Sequence, residues 1–385
     1  MKKVWLSFLA LVALTVASSW LASSLWGGKA ARIELPGQVV FTPGETVGAF
    51  MARNAIPEKI MAEALGRDQA IPKEAPLASV APSSGQFEAK LRQAAALASE
   101  HATKEWQKIL PKFALWAVFL WAASRALAKR RLNLRMRKGY YLAAAALFGV
   151  ALGSDPSPMG TVKDAVVLLA RDGVVFPPRL VAFAVFLGSV LLTNKAICAW
   201  GCQFGVLQDL VFRLNRNPGD TAGILRQYKV PFVVSNSVRV AFFALFTAVA
   251  FIAGLDLVES MDPFKTFNPA HLGIAGAVAA GLLLAASLFV YRPWCLFFCP
   301  FGLAGWLVER FSLNKIRVDA HACIQCGACE RACPSTVMGA ILHQRKVVPD
   351  CFACGTCKDV CPVKAISFGR KPGQAPVRPD PGGRL

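Results

Sequence analysis

The chain has 385 residues, 55% hydrophobic and only 17% charged. Soluble proteins carry about a quarter charged residues, so these totals exclude an ordinary soluble enzyme and indicate a membrane protein with soluble parts. The formal net charge of +20 fits the basic loops that membrane proteins keep in the cytoplasm, and no nucleic-acid partner is expected.

In chain order, Lys2 and Lys3 precede an apolar stretch from Val4 to Trp26, long enough to span a bilayer at about 20 residues. Small residues near Ala22 and Ser23 suit a signal peptidase, but the stretch exceeds a typical signal core. Residues 1–26 are therefore read as a membrane anchor in preference to a signal peptide. Either way, 27–110 is expected to be exported, as a small and mostly helical periplasmic domain. Within it RIELPGQVVF reads as a strand pair or strand–turn. Thr42 and Glu45 have capping-box spacing ahead of Val47, Phe50 and Met51 at helical intervals. A second short helix starts near Pro57 and stops at Gly66. A Pro/Ala/Ser-rich linker (71–85) follows, then an amphipathic helix from Gln86 to Ile109.

The transmembrane domain is expected over 111–292, with spans near 112–128, 139–153, 180–197, 234–255 and 272–291. The loop 129–138 carries six basic residues and no acid, while 256–271 holds Asp256, Glu259 and Asp262 against Lys265 alone. The positive-inside rule then gives six spans with both termini in the cytoplasm. A connector (293–314) leads to a carboxyl domain (315–370) and a tail (371–385) expected to be disordered.

Twelve cysteines fall in four clusters, all in the second half. Their spacing is that of metal ligands, not of a disulfide framework, which places them on the reducing, cytoplasmic side. CIQCGACERACP and CFACGTCKDVCP each fit the bacterial two-cluster ferredoxin run. The fourth cysteine of each run crosses over, so one [4Fe–4S] centre takes Cys323, Cys326, Cys329 and Cys361. The other takes Cys351, Cys354, Cys357 and Cys333. Paired zinc sites also use four thiolates, but two tandem copies with a trailing proline favour iron–sulfur. Gly327 and Gly355 relieve crowding where the chain wraps a cluster. Lys358, Lys364, Arg331 and Lys346 raise the potentials or form a solvated basic surface. The domain is thus α+β and ferredoxin-like, attached to a polytopic α-helical membrane protein.

CAWGCQFG (Cys198, Cys202) and WCLFFCPFG (Cys295, Cys299) share a form. Each pair, at i and i+4, is expected to present both thiols on one helical face at the cytoplasmic exit of a span. Together they offer a third four-thiolate site, open to a [4Fe–4S] cluster, zinc, Cu(I) or dithiol chemistry. These motifs, in NKAICAWGCQFGVLQDL and YRPWCLFFCPFGLAGWL, followed by the double ferredoxin run, resemble the NapH/MauN/NosR group of polyferredoxin membrane proteins over about residues 140–370. The chain departs from that group at Gln203, where proline is frequent, with the thiol spacing kept. The resemblance implies quinol-linked electron donors to periplasmic reductases, or electron suppliers for metalloenzyme maturation.

Haem in the membrane is not expected, because His101, His271, His321 and His343 lie outside the span interiors. No dinucleotide fingerprint or Walker loop is present, so NAD chemistry is not expected. Polar residues near span ends, Asn194, Lys195, Gln203, Gln208, Asn236 and Arg239, are candidate quinone contacts, with Asp209 as a partner or proton acceptor. The leading expectation is an inner-membrane carrier, or quinol dehydrogenase subunit, relaying electrons between a quinol pool or cytoplasmic donor and a periplasmic reductase. Its redox partners would be a cytochrome or iron–sulfur subunit. The alternatives are an assembly protein reducing copper or thiols, and a metal-stapled scaffold.

Overall fold

A computed structural model describes residues 2–26, 35–36, 39–66, 71–80, 84–129, 132–345 and 350–370. Half of the RIELPGQVVF stretch lies outside them, and its described half, 35–36 and 39–41, forms no strand; Lys346 and the tail at 371–385 lie wholly outside. Helices dominate, as expected where long apolar runs must satisfy their own backbone in lipid. Lys2–Leu25, Trp106–Ala128 and Phe232–Ala253 are each long and apolar enough to cross a membrane. Pro177–Thr193 and Ile274–Ala286 are apolar but shorter. Leu134–Ala144 runs on without a break into a π-helical segment, Ala145–Ala151.

The bundle has two distinct ends. At one, the carboxyl domain docks: Lys358 donates to the Leu127 carbonyl, and Arg137, fully buried, pairs with Asp359. At the other, Trp26 Nε1 donates to the Ala151 carbonyl at 3.0 Å and Lys112 Nζ to that of Gly153 at 2.7 Å. This far end also holds the amphipathic helix Pro158–Asp172. Its Lys163 reaches across to Asp256 at 2.8 Å and Glu259 at 3.0 Å in the loop before Ile274–Ala286.

The amino-terminal domain has a core of its own, built on Val47, Phe50, Ile60, Met61 and Leu91. Three local expectations are corrected there. Thr46, not Thr42, caps the Val47–Arg53 helix, accepting from Ala49 N, while the Thr42 N–H bonds Glu45 Oε1 at 2.7 Å just upstream. The linker includes a helical turn, Leu77–Val80, because Ile71 and Leu77 bury in this core. The long helix from Gln86 is two, Ser84–Ala102 and then Trp106–Ala128. The break forms where the Thr103 hydroxyl bonds back to the Ser99 carbonyl at 2.9 Å. Glu58–Leu65 ends at a left-handed Gly66, as the sequence predicts.

The carboxyl domain is framed by an antiparallel pair of strands, Lys315–Val318 and Ile366–Gly369, in register Lys315↔Gly369. Short helices Ala328–Ala332, Val337–Leu342 and Thr356–Asp359 carry or flank the cysteines between them.

Candidate metal centre

The ferredoxin runs fold as short loops that turn into helices at Gly327 (φ +67°) and Gly355 (φ +80°), left-handed positions that glycine adopts without cost. Cys333 leaves its own run and lies within electrostatic reach of Cys351, Cys354 and Cys357. Cys329 is within reach of Cys323 and Cys361. These approaches are in keeping with the crossed grouping of the two-cluster pattern, with Cys329 also within reach of Cys357. Cys326 is exposed and Cys323 and Cys361 half-buried beside a buried Cys329, whereas Cys333, Cys351 and Cys357 are buried and Cys354 half-buried. One group faces solvent and the other faces the bundle. Burial pushes the Cys329 thiol up to about 11 and Cys333, Cys351 and Cys357 up as well. Alone these thiols stay protonated near neutrality, and a bound cation is what ionises such a ligand.

The second set of thiols is arranged otherwise than the i,i+4 spacing suggests. Cys198 sits in a π-helical turn, Ile197–Gly201, closed by Cys202 N–H to the Ile197 carbonyl at 2.7 Å. Cys295 sits in a five-residue helix, Pro293–Phe297. Cys202 and Cys299 lie beyond those turns, both at φ −72° and ψ 115°, as the first non-helical residues before Gln203–Leu214 and Pro300–Glu309. Neither pair shares a continuous helical face. The glycine N–H three residues on, Gly205 or Gly302, donates to the second thiol of its motif. A Cβ on Gly205 would come within 2.8 Å of the Cys198 carbonyl oxygen, and one on Gly302 within 2.9 Å of that of Cys295. The two motifs are thus near copies in three dimensions.

They also meet. All six pairings among Cys198, Cys202, Cys295 and Cys299 fall within electrostatic reach. Their depth corrects the expectation of a surface site. Trp116 Nε1 donates to the Gly201 carbonyl at 2.9 Å, and Trp116 lies midway along Trp106–Ala128, about 15 Å from either end at 1.5 Å per residue. Gln203 reaches the far-end loop, donating to the Ser154 carbonyl at 2.6 Å, and Phe204 packs on Phe264. The thiols are inside the bundle because Gln203–Leu214 and Pro300–Glu309 are half-length helices that begin at depth and run back toward the carboxyl domain.

Buried cations surround this quartet, and they cross between motifs. Arg292, three residues before Cys295, donates to the Cys198 and Ala199 carbonyls and pairs with Asp209 at 2.7 Å. Lys195, three residues before Cys198, donates to the Gly302 carbonyl at 3.0 Å and pairs with Asp350 at 3.1 Å. Arg239 pairs with Asp350 at 2.6 Å and touches the Cys295 carbonyl at 3.4 Å. Asp350 directly precedes Cys351, so two cations beside the membrane thiols also hold the carboxyl domain. Phe352 then inserts under Lys195 (4.8 Å) and Arg292 (5.1 Å), and Trp200 Nε1 donates to the Ala353 carbonyl at 3.2 Å.

This engages most of the polar groups marked as quinone contacts, although Asn194 Oδ1 and Gln203 Oε1 stay buried with no hydrogen-bond partner. Lys195 and Arg239 hold Asp350, and Asn236 accepts from Arg239 at 2.6 Å. Gln208 donates to Ser287 and faces the Cys295 thiol, and the Asn194 N–H donates to Ser312. Asp209 pairs with Arg213 and Arg292. Sequence reasoning missed Arg292 and Asp350; their adjacency to cysteines in YRPWC and PDC was the available signal. Of the tuning cations, Lys358 is buried against Leu127 and not solvated, while Arg331 Nη2 donates to the Cys326 carbonyl at 3.0 Å.

The all-thiolate donor set narrows the choice of metal to soft-ligand sites such as zinc and iron–sulfur clusters. A single zinc ion with bonds of about 2.3 Å draws its thiolates to within ~4 Å of one another. Among the described residues, no three His, Cys, Asp or Glu side chains converge tightly enough to hold one ion. By donor type alone, each group of four thiols suits a four-thiolate zinc site or a [4Fe–4S] cluster.

Comparison with known proteins agrees with this geometry. Residues 322–366 match the 4Fe–4S dicluster domain, and 175–219 and 272–319 match a 4Fe–4S binding domain. The last two matches enclose the two membrane motifs. YccM of Escherichia coli K12 is 32% identical over 168 residues, 41% of this chain and 45% of that protein. NirI of Paracoccus denitrificans is 26% identical over 282 residues, 66% of this chain and 39% of its own. The ferredoxin-type protein NapH of Haemophilus influenzae is 27% identical over 161 residues, 40% of this chain and 53% of its own. The chain therefore spans about half or less of each of these relatives. No solved structure matches. MauN and NosR proteins are also among the relatives, so the chain is similar to the NapH/MauN/NosR-type 4Fe–4S membrane proteins.

Proposed function

We propose that the chain is an inner-membrane iron–sulfur electron carrier whose twelve cysteines hold three [4Fe–4S] centres in series. When bound, such centres supply one-electron transfer. Cys198, Cys202, Cys295 and Cys299 hold the innermost of the three, at mid-depth. Cys351, Cys354, Cys357 and Cys333 hold the next, and Cys323, Cys326, Cys329 and Cys361 the one nearest solvent. The carboxyl domain is cytoplasmic and 27–110 periplasmic in this reading, with electrons passing between a quinol or cytoplasmic donor and a periplasmic reductase. A cytochrome or iron–sulfur subunit is the partner class.

The observation that carries this reading is the shared carboxylate of Asp350. Lys195 and Arg239 touch the Cys295–Gly302 motif and bind Asp350, one residue from Cys351. The chain thus fixes the membrane quartet against the buried ferredoxin group. Lys195, Arg239 and Arg292 place positive charge where four thiolates would concentrate negative charge, which lowers the cost of burying them. Phe352, Trp200 and Tyr291 fill the space between the groups and exclude water. Each membrane cysteine is less than a tenth exposed, which favours passage of electrons over entry of a copper ion. Low-temperature spin-resonance spectra of the reduced full-length protein test the reading. Three interacting [4Fe–4S] signals, reduced to two in Cys198→Ser, are expected. Two signals in both proteins, with stoichiometric Cu(II) reduction that needs the membrane cysteines, would favour the maturation role instead.

A further inference from the structure

At the far end of the bundle, Trp106–Ala128, Pro158–Asp172 and Pro177–Thr193 enclose a cavity of about 490 Å³. Pockets of about 300–1,000 Å³, mostly apolar with a few convergent polar groups, are typical of small-ligand sites. Phe113 and Ala182 form part of the wall, while Leu110, Val181 and Val185, each at least half exposed, stand at its lipid-facing side. An opening on that side admits a ligand dissolved in the bilayer. The polar end is made by Thr161, Asp164 and Arg179.

Those charges are already balanced. Arg179 pairs with Glu100 at 2.6 Å and Asp164 at 3.4 Å, and Lys104 pairs with Glu100 at 3.4 Å. An anionic phospholipid headgroup would find no uncompensated cation here, whereas a neutral polar group would find donors and acceptors. Arginine has five N–H donors, and both ion pairs of Arg179 use Nη2 alone. The occupant that fits is a neutral, flat apolar ring with oxygen atoms at one end.

The wall adjoins the thiol site. Phe113 packs on Trp116 (5.5 Å) and Phe186 (5.4 Å), and these two pack on each other at 5.1 Å. Trp116 bonds the Gly201 carbonyl between Cys198 and Cys202, and Phe186 meets Phe301, two residues after Cys299, at 6.1 Å. We infer that this cavity, and not the polar residues around Lys195 and Arg239, binds a lipid-soluble quinone or its quinol. Arg179 donates to a ring oxygen, the Thr161 hydroxyl, whose own proton goes to the Pro158 carbonyl at 2.7 Å, accepts from the hydroxyl of the quinol form, and the ring lies against Phe113. This rests on the electron-carrier reading for its purpose, but the binding itself does not.

Binding of decylubiquinone to the full-length protein in micelles tests it, with iron content as an independent check of fold. Wild type should bind about one equivalent saturably, and an azido-quinone should label residues 106–113 or 176–185. Ala182→Trp, which fills the cavity, and Val181→Trp, which plugs its mouth, should weaken binding at least tenfold with iron unchanged. Cys198→Ser should bind normally, so failure of the carrier reading leaves this test intact. Equal affinity in wild type and both tryptophan variants would overturn the site. Displacement of decylubiquinone by phosphatidylglycerol at equal concentration would also overturn it, by identifying a lipid-headgroup site.

Discussion

Gly205 and Gly302 are the residues on which the membrane thiols turn. A methyl group on either would press into a backbone carbonyl, at 2.8 Å from Cys198 O or 2.9 Å from Cys295 O, and backbone cannot yield as a flexible side chain can. Gly302→Ala is therefore expected to lose the metal of the membrane quartet while the ferredoxin irons remain, as read by metal counting. Full metal content in that variant would remove the argument. Arg292→Met should be as damaging: breaking a buried pair from one side costs about 3–5 kcal/mol, because Asp209 keeps its charge and loses a partner. The lowered thermal midpoint checks it. The glycines were legible as the repeated Cys-x-Phe-Gly, in CQFG and CPFG. The cations were not, because Arg292 and Lys195 act across the motifs, a relation that exists only after folding. Cys333 lies between: its crossing follows from the ferredoxin pattern, and Cys333→Ser should impair the centre on 351–357 and spare that on 323–329.

Among the elements, the apolar runs were legible as helices, since hydropathy and length report directly on burial in lipid. The turns that matter were not. A four-residue cysteine spacing suggests one helical face, but Ile197–Gly201 is a π turn and Pro293–Phe297 a single short helix, so each second thiol starts a new element. Only the packing of half-length helices at depth forces that break. The Pro158–Asp172 helix was also missed; it hides in the loop between two spans and is held by charge. Lys163 there faces Asp164, Asp256, Glu259 and Asp262. Lys163 holds the Glu259 carboxyl down to about 2, whereas burial pushes Asp262 up to about 6 despite the lysine. The native chain thus retains a proton on Asp262 that an unfolded carboxyl, near 3.9, releases. The stability from this residue is full below about pH 4 and is lost as pH rises to about 6. Asp262→Asn, which keeps a cap for Phe264 N, should gain on wild type in thermal midpoint as pH goes from 5 to 8. Parallel midpoints across that range would contradict the assignment.

At the scale of the molecule, the charge bias gave an orientation, and the reducing compartment of the thiols pointed the same way. Reporter fusions at Gly85 and Asp380 should report opposite compartments; the same compartment for both would overturn that topology. The sequence left one difficulty, since centres confined to the inner surface give an electron no path into the bilayer. Placing the quartet beside Trp116, at the middle of Trp106–Ala128, shortens that gap. Depth was illegible because nothing in CAWGC or WCLFFC distinguishes the end of a span from a turn within the bundle. The central claim is that the two membrane pairs form one iron–sulfur site in series with the ferredoxin groups. Iron counted per chain on the full-length protein tests it most directly. About twelve irons are predicted, three cubanes of four. The count should fall to about eight in Cys198→Ser, in Cys295→Ser and in the double variant alike, as for residues that act as a unit. A count of about eight in wild type, unchanged by those substitutions, would contradict the account.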